Sequence, residues 1–131
     1  MQEIALIALT VREYDEAIAF YVGVLGFVLV EDTALGEEEG KRWVRVRPAG
    51  SAGVSLLLAK AVGDAQVASV GNQTGGRVFL FLETEDVARD HAALVAKGVA
   101  FVREPKSEAY GVVAVFRDLY GNLWDLVERR G

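Results

Sequence analysis

The sequence lacks cysteine, has one histidine, and contains no apolar run that approaches the length of a membrane span. Without cysteine there is no disulfide framework, no thiolate metal site and no cysteine nucleophile. A single histidine, placed in a helix, gives no basis for a Ser-His-Asp arrangement. A spanning helix needs about 20 apolar residues, and the first residues lack a basic segment followed by a long apolar one. We therefore expect neither a membrane span nor a signal peptide. The expected location is the cytoplasm.

Basic residues are also in the minority. Lysine and arginine number 14 against 19 aspartates and glutamates, for a net charge of −5. Nucleic acids and anionic membranes require a basic face, so neither is expected as a partner. A chain of 131 residues that is 52% hydrophobic suits one globular domain with a sizeable core.

Apolar strands and amphipathic helices occur in the same order twice. The first helix is expected to start at Asp15 as its N-cap and to end at Gly26. The second is expected to open at Glu85-Asp86 and to end at Gly98. Residues 34–42 are expected to form a loop or hairpin, and residues 105–110 a loop. The predicted strands cover residues 4–11, 27–31, 43–47, 54–59, 77–84, 99–104, 112–116 and 123–127.

The resulting order, βαβββ, a linker and βαβββ, is an internal repeat in an α+β fold. The single domain, 1–131, then consists of module one (1–60), a linker (61–76) with a short helix, and module two (77–131). One helix covers only one face of each four-stranded sheet. The other face is expected either to be covered by the other module or to line a cup-shaped binding site.

The last predicted strand carries one polar residue, Asp125, in an apolar segment. A carboxylate is costly to bury without a partner. Two interpretations remain open. Asp125 either serves as a polar anchor or base in a binding site, or pairs with a cation such as Arg45 or Arg77 for structural reasons.

These motifs together resemble the vicinal oxygen chelate superfamily, which includes glyoxalase I, bleomycin-resistance proteins and extradiol dioxygenases. The matching segments are residues 4–11, 15–21 and 24–27 in the first half and 97–104 and 118–128 in the second. The resemblance implies the glyoxalase/bleomycin-resistance fold, in which each module is a curved mixed sheet with a helix on its outer face. The two modules together form a cup. It also implies a homodimer, because many members complete their cups across a two-fold axis.

Metal-using members of that superfamily hold one divalent ion with four side chains. The resemblance places the four positions at Leu6, Leu57, Phe79 and Asp125. Three of these side chains are hydrocarbon and have no lone pair for a cation. We therefore expect no metal centre of the family type and no cofactor.

Other residues are candidates for ligand contact, each with a structural alternative. Trp43 and Arg45 share one strand face and offer an aromatic wall and a cation to an anionic or aromatic ligand, or simply face solvent. Tyr110 is expected either to hydrogen-bond a ligand at the mouth or to pack its loop. Gln73 is expected either to reach over the cup or to belong to a glycine-rich turn. His91 is expected on an outer helix, as a packing or surface residue.

The favoured hypothesis is a small-molecule binding protein of the bleomycin-resistance kind that lacks the family metal. The alternative is an enzyme of the glyoxalase or dioxygenase type, a lyase or oxygenase, with an atypical site. A third hypothesis is a regulatory or interaction module without a ligand. The predicted ligand contacts are Asp125, Arg45, Trp43, Phe79, Leu57, Leu6, Gln73 and Tyr110.

Overall fold

The computed structural model describes residues 1–36 and 39–130. Within these residues it contains eight strands and three α-helices. In chain order they are β1 (Leu6–Val11), α1 (Tyr14–Ile18), β2 (Val28–Ala34), β3 (Arg42–Arg47), β4 (Ser55–Lys60), α2 (Asp64–Ser69), β5 (Val78–Glu83), α3 (Val87–Ala96), β6 (Phe101–Glu108), β7 (Gly111–Arg117) and β8 (Leu123–Arg129). The α+β class and the repeated βαβββ order are confirmed. In the described part of the chain, no helix has both the length and the apolar composition needed to cross a membrane.

The chain divides into two compact units, Met1–Val70 and a second that starts at Gly71. The first unit contains a mixed sheet in the order β1-β4-β3-β2, in which only β1 and β4 run parallel. Alternation along β3 sends Val44 and Val46 to the helix side, where both are fully buried. Tyr21 from the helical segment packs there as well, so the core of this unit lies between the sheet and its helix.

The second unit repeats this plan with the order β5-β8-β7-β6, where β5 and β8 are parallel. Its core is aromatic: Phe116 stacks on Trp124 with ring centroids 5.9 Å apart. Helix α3 starts at an N-cap, Asp86, whose Oδ1 accepts a hydrogen bond from the Arg89 amide at 2.9 Å. Glu128 Oε1 accepts a second bond from the Val87 amide, which ties β8 to the start of the helix.

The first helix differs from its prediction at the start. Its N-cap is Glu13, not Asp15, and no side chain caps it. Asp15 lies within the first turn, and its carboxylate accepts a hydrogen bond from Arg42 Nη1 at 2.8 Å. The helix then continues as a π-helical segment, Ala19–Val24, and the chain turns at Gly26 with a φ of 80°. The Asp15 carboxylate, which the sequence suggested as the cap of this helix, thus forms an ion pair with Arg42 of β3 instead.

Residues 105–110, expected as a loop, instead continue strand β6 as far as Glu108. The strand contains Pro105, which has no amide hydrogen to donate. Strand β6 lies at the edge of its sheet, and its register shifts between Arg103 and Lys106. An edge position with an irregular register is where a proline is tolerated in a sheet, so the prediction failed because the edge was not visible in the sequence.

The predicted loop or hairpin over residues 34–42 is a hairpin in its described parts. Strand β2 extends to Ala34 and pairs antiparallel with β3 from Arg42. Arg42 bonds the Asp32 carboxylate with two nitrogens, at 3.1 and 2.7 Å, a bidentate geometry that favours this register. Residues 37 and 38 of the predicted segment lie outside the described residues.

Candidate functional site

The turn before β8 is built around the buried carboxylate of Asp118. Its Oδ1 accepts hydrogen bonds from the amides of Tyr120, Gly121 and Asn122 at 2.9 to 3.0 Å. Its Oδ2 accepts from the Asn122 side chain at 3.0 Å and from the Trp124 indole at 3.4 Å. A carboxylate can be buried when its lone pairs are satisfied in this way. Asp118 therefore fixes where β8 begins and which of its residues point to each face.

The segment that opens the second unit supports this turn. Gly71 has a φ of 75°, and a Cβ at this position would lie 1.9 Å from the Tyr120 carbonyl oxygen. The Gln73 amide donates a hydrogen bond to Asn122 Oδ1 at 3.1 Å. Gln73 was a candidate ligand contact, but it is not among the residues that line the cavity of this unit. Its position matches the structural alternative of a glycine-rich turn.

Alternation along β8 separates core from surface. Trp124 and Leu126 point to the side of α3 and are 2% and 1% exposed. Leu123 and Asp125 point the other way and line a cavity. We call this side of the second sheet the open face; it carries Phe81, Arg103, Val115, Leu123 and Asp125.

One row of paired residues crosses the open face from edge to edge. Phe81 of β5 lies opposite Asp125 of β8, Asp125 opposite Val115 of β7, and Val115 opposite Arg103 of β6. Directly paired residues share a face of the sheet. The row therefore places an aromatic ring, a carboxylate, an apolar side chain and a guanidinium in sequence along the floor of one cavity of about 720 Å³.

Burial raises the pKa of the Asp125 carboxyl above its ordinary value of 3.8, and the charge of Arg103 opposes this change. Among the described residues, neither Arg45 nor Arg77, the two cations named as possible structural partners, makes an ion pair with Asp125. Arg45 belongs to the first unit and bonds Glu31 at 3.0 Å. Arg77 lines the same cavity as Asp125, but no ion pair joins them in the described chain. Arg103 is the cation whose charge acts on Asp125.

The aromatic residue of this row is Phe81, which is not one of the predicted ligand contacts. The predicted contact, Phe79, is not among the cavity residues and packs edge-on against Trp124 at 5.9 Å between ring centroids. Simple alternation would put both phenylalanines on one face. A register shift between Val78 and Leu80 turns Phe79 away, while Phe81 stays on the open face and is 67% exposed.

Tyr110, a predicted contact, is found at the rim of the same cavity. It lies in the turn between β6 and β7, is 59% exposed, and lines the cavity. Its carbonyl oxygen accepts a hydrogen bond from the Arg130 amide at 3.0 Å, which holds the backbone while the side chain stays accessible. Tyr110 and Asp125 are thus brought to one cavity from different strands.

The first unit has its own cavity, also of about 720 Å³, and two predicted contacts, Trp43 and Leu57, line it. Arg45 is opposite Leu57 in the sheet but is not a lining residue, because its guanidinium is engaged by Glu31. Leu6 pairs with Ser55 and is half-buried outside the lining. The candidate contacts of the first half are therefore only partly brought together.

The positions that hold the family metal do not fit an ion in this chain. Asp125 has Phe81 and Val115 as its neighbours across the sheet, and neither has a lone pair. Leu57 has Ala8 and Arg45 as its neighbours, a hydrocarbon and a cation. Among residues 1–36 and 39–130, no group of three histidine, aspartate or glutamate side chains is arranged to hold a metal ion. The donor set around Asp125 is therefore unsuited to the family metal.

His91 lies on α3, on the side of the sheet away from the open face. Its ring packs against Phe101 with centroids 4.5 Å apart, and its Nε2 lies 2.6 Å from Glu104 Oε2 without the alignment of a hydrogen bond. These contacts match the packing role expected of it, and they place the only histidine of the chain away from Asp125.

Comparison with known proteins agrees with this architecture. An uncharacterized protein of Shewanella frigidimarina (strain NCIMB 400) is 58% identical over 127 residues, covering 97% of this chain and 93% of that protein. The crystal structure of UcmS2 matches with a TM-score of 0.85 at 29% identity, covering 98% of each chain. The crystal structure of TnmS3, an antibiotic binding protein from Streptomyces sp. CB03234, matches with a TM-score of 0.78 at 30% identity, covering 99% of this chain and 98% of that one.

The model of one protein family matches residues 3–126, which include all the strands that form both sheets except the end of β8. The match extends over both βαβββ units and agrees with the superfamily that the sequence motifs resemble. The chain belongs to the glyoxalase/bleomycin resistance protein/dioxygenase superfamily.

Proposed function

We propose that this protein binds a small organic molecule on the open face of its second sheet and does so without the metal ion of its superfamily. The observation that carries the proposal is the row that contains Phe81 and Asp125. A phenylalanine that is 67% exposed lies directly opposite a carboxyl whose pKa is raised by burial. An exposed aromatic ring beside a partly desolvated polar group is the composition of a ligand site.

A ligand that covers this surface gains binding free energy from the apolar area that it removes from water. Covering a fully exposed phenylalanine side chain stabilises a complex by about 1.5 to 3 kcal/mol through removal of apolar surface from water. The partly buried Val113 and Leu123 line the same cavity and extend the apolar area. Asp125 supplies an acceptor that fixes orientation, since one well-placed polar group in an apolar cavity gives specificity. The similarity to TnmS3, an antibiotic binding protein, supports a binding role of this kind.

The experiment is a thermal-shift screen of several hundred aromatic small molecules with EDTA present, followed by calorimetry on the compounds that stabilise the protein. A ligand at 100 times its Kd adds about 2.7 kcal/mol to the free energy of unfolding. Phe81→Ala should lower the affinity of such a ligand by about tenfold to a hundredfold, because the ring contact is lost.

The matched control is Val95→Ala. Val95 is also an exposed apolar residue, at 49%, but it lies on α3. This variant should bind as the parent protein does. A screen without a single stabilising compound would favour an interaction module that has no ligand. Stoichiometric metal in the purified protein, lost in Asp125→Ala, would instead favour the enzyme alternative.

Homodimerisation belongs to the same proposal. In the first unit, Val28 and Leu29 are exposed on β2, which lies at the edge of its sheet. A second copy of the chain is the occupant that we propose for part of this apolar surface, because burying it would stabilise the assembly. Light scattering at micromolar concentration should then give twice the chain mass of 14.2 kDa, whereas the mass of one chain would refute the dimer and leave the binding proposal to its own test.

A further inference from the structure

We infer that the open face selects flat aromatic molecules that carry a hydrogen-bond donor and, about 10 Å away from it, an acidic group. The inference rests on the proposed function and names the class of ligand for that site. It follows from the order of side chains along the row Phe81, Asp125, Val115 and Arg103, and from the pairing of the charges around it.

The strand spacing sets the length of the ligand. Neighbouring strands lie about 4.8 Å apart, and Asp125 and Arg103 are on strands separated by one other, β7. Their backbones are therefore about 10 Å apart, with Val115 between them. Phe81 lies directly beside Asp125 at the opposite edge, so the ligand ring that carries the donor packs against it. A molecule with a flat apolar body can lie across β7, where Val115 is 7% exposed, while its two ends meet the carboxyl and the guanidinium.

The charges decide which end is acidic. Of the other charged groups at this cavity, Lys106 pairs with Glu108 at 3.5 Å and Glu104 lies 2.6 Å from His91. Arg77 precedes β5, at the opposite edge of the sheet from Arg103. Arg103 forms neither an ion pair nor a hydrogen bond with another side chain in residues 1–36 and 39–130. A guanidinium with its donors free binds a carboxylate in a bidentate geometry. The ligand's acid is therefore expected at Arg103.

The other end is a hydrogen-bond donor, because the side chains paired with Asp125 across the sheet have no donor to offer it. Its cross-strand neighbours are Phe81 and Val115, and its backbone participates in the sheet. A cation at this end would have to give up its hydration in a partly buried site, which costs more than the transfer of a neutral donor. A neutral donor such as a phenolic hydroxyl gains the hydrogen bond at the smaller cost.

The test uses 4′-hydroxybiphenyl-4-carboxylate, which holds its hydroxyl and its acid near the required separation, and two analogues. In the first analogue the acid is a carboxamide, and in the second the hydroxyl is a methoxy group. Calorimetry in EDTA should show the carboxamide binding about tenfold more weakly than the acid, the effect of one charge-assisted hydrogen bond. The methoxy compound should bind more weakly by a similar factor because it has no proton to donate.

Variants locate the effect. Arg103→Gln should make acid and carboxamide bind equally, whereas Arg89→Gln, which removes the same charge from α3, should keep the tenfold ratio. Asp125→Asn should reduce the difference between hydroxyl and methoxy compounds. Unfolding curves of the free variants serve as the check that each is folded.

Equal binding of the acid and the carboxamide to the parent protein would overturn the inference. A tenfold ratio that survives in Arg103→Gln would overturn it as well. If none of the three compounds binds while other compounds from the thermal-shift screen do, the ligand class is wrong and the proposed function stands. If no compound of either set binds, the proposed function fails together with its ligand class.

Discussion

Replacing Asp118 by alanine removes the acceptor on which the turn before β8 depends. The carboxylate accepts hydrogen bonds from the amides of Tyr120, Gly121 and Asn122, from the Asn122 side chain and from the Trp124 indole. The two bonds from Asn122 are buried, so water cannot replace them. The bond from the Trp124 indole is also buried but longer, at 3.4 Å, so the two Asn122 donors set the estimate. A buried donor left without a partner costs about 1 to 3 kcal/mol. The expected loss is therefore about 2 to 6 kcal/mol, a large share of the roughly 5 to 15 kcal/mol that stabilises a typical domain.

Urea unfolding followed by far-UV circular dichroism measures this loss without depending on the Trp124 fluorescence, which the substitution itself would change. Asp118→Asn is the matched control, because its amide keeps one acceptor oxygen and the shape of the side chain. It should lose less stability than Asp118→Ala. An alanine variant within about 0.5 kcal/mol of the parent protein, the usual range for a surface substitution, would refute the assignment of Asp118 as the centre of the turn.

Three further predictions concern residues around the same sheet. Gly71→Ala should destabilise the protein by clearly more than Gly75→Ala in urea unfolding, because both need a positive φ but only the Gly71 Cβ meets the Tyr120 carbonyl, at 1.9 Å; equal losses would contradict this. Phe116→Ala should cost about 3 to 5 kcal/mol in the same assay, since the ring is fully buried between Trp124 and Phe101, and a loss below 1 kcal/mol would be inconsistent with that packing. Asp125→Asn should be more stable than the parent at pH 7, because burial raises the folded pKa of this carboxyl above 3.8 and so penalises its charged form. That penalty is relieved as the pH falls through the raised folded pKa, so the stability advantage of the variant should shrink toward pH 3. An advantage that grows on acidification would show that the folded pKa of Asp125 is lowered instead.

The order of elements could be read from the sequence because its signals are local. Periodic apolar residues define each strand and helix, and Gly26 and Gly98 end the helices at positive φ. Asp86 was expected at the start of the second helix, and its side chain caps that helix. The start of the first helix was misplaced because Arg42, distant in sequence, takes the Asp15 carboxylate. A cap can be replaced by an ion pair only when the tertiary structure brings the cation close.

The site was predictable in part. Its local features could be read from the sequence, and those set by strand pairing could not. Alternation alone puts Asp125 and Trp124 on opposite faces of β8, as the structure has them. Phe79 was selected in place of Phe81 because the register shift between Val78 and Leu80, which turns Phe79 away from the open face, is not visible in the sequence. Arg103 was missed because it lies next to a second register shift, in β6. A bulge changes the face of every residue beyond it. In β5 no residue type marks its place, whereas in β6 Pro105 lies within the irregular register.

The two sheets carry related rows with different charge arrangements. In the first unit the row Ala8, Leu57, Arg45 and Glu31 ends in a closed ion pair. In the second unit the carboxyl and the guanidinium are separated by Val115 and do not pair. A neutralised pair offers little to a ligand, while separated charges are available to one. The second sheet therefore offers a ligand charges that the first sheet does not.

The central claim is that the open face of the second sheet binds a small molecule without a metal ion. An NMR titration of the isotope-labelled protein with a compound from the screen, in excess EDTA, tests it most directly. We expect saturable changes in the amide chemical shifts of Phe81, Arg103, Val115 and Asp125, with little change along α3 (Val87–Ala96). Shifts confined to α3, or binding that EDTA abolishes and a divalent ion restores, would contradict it.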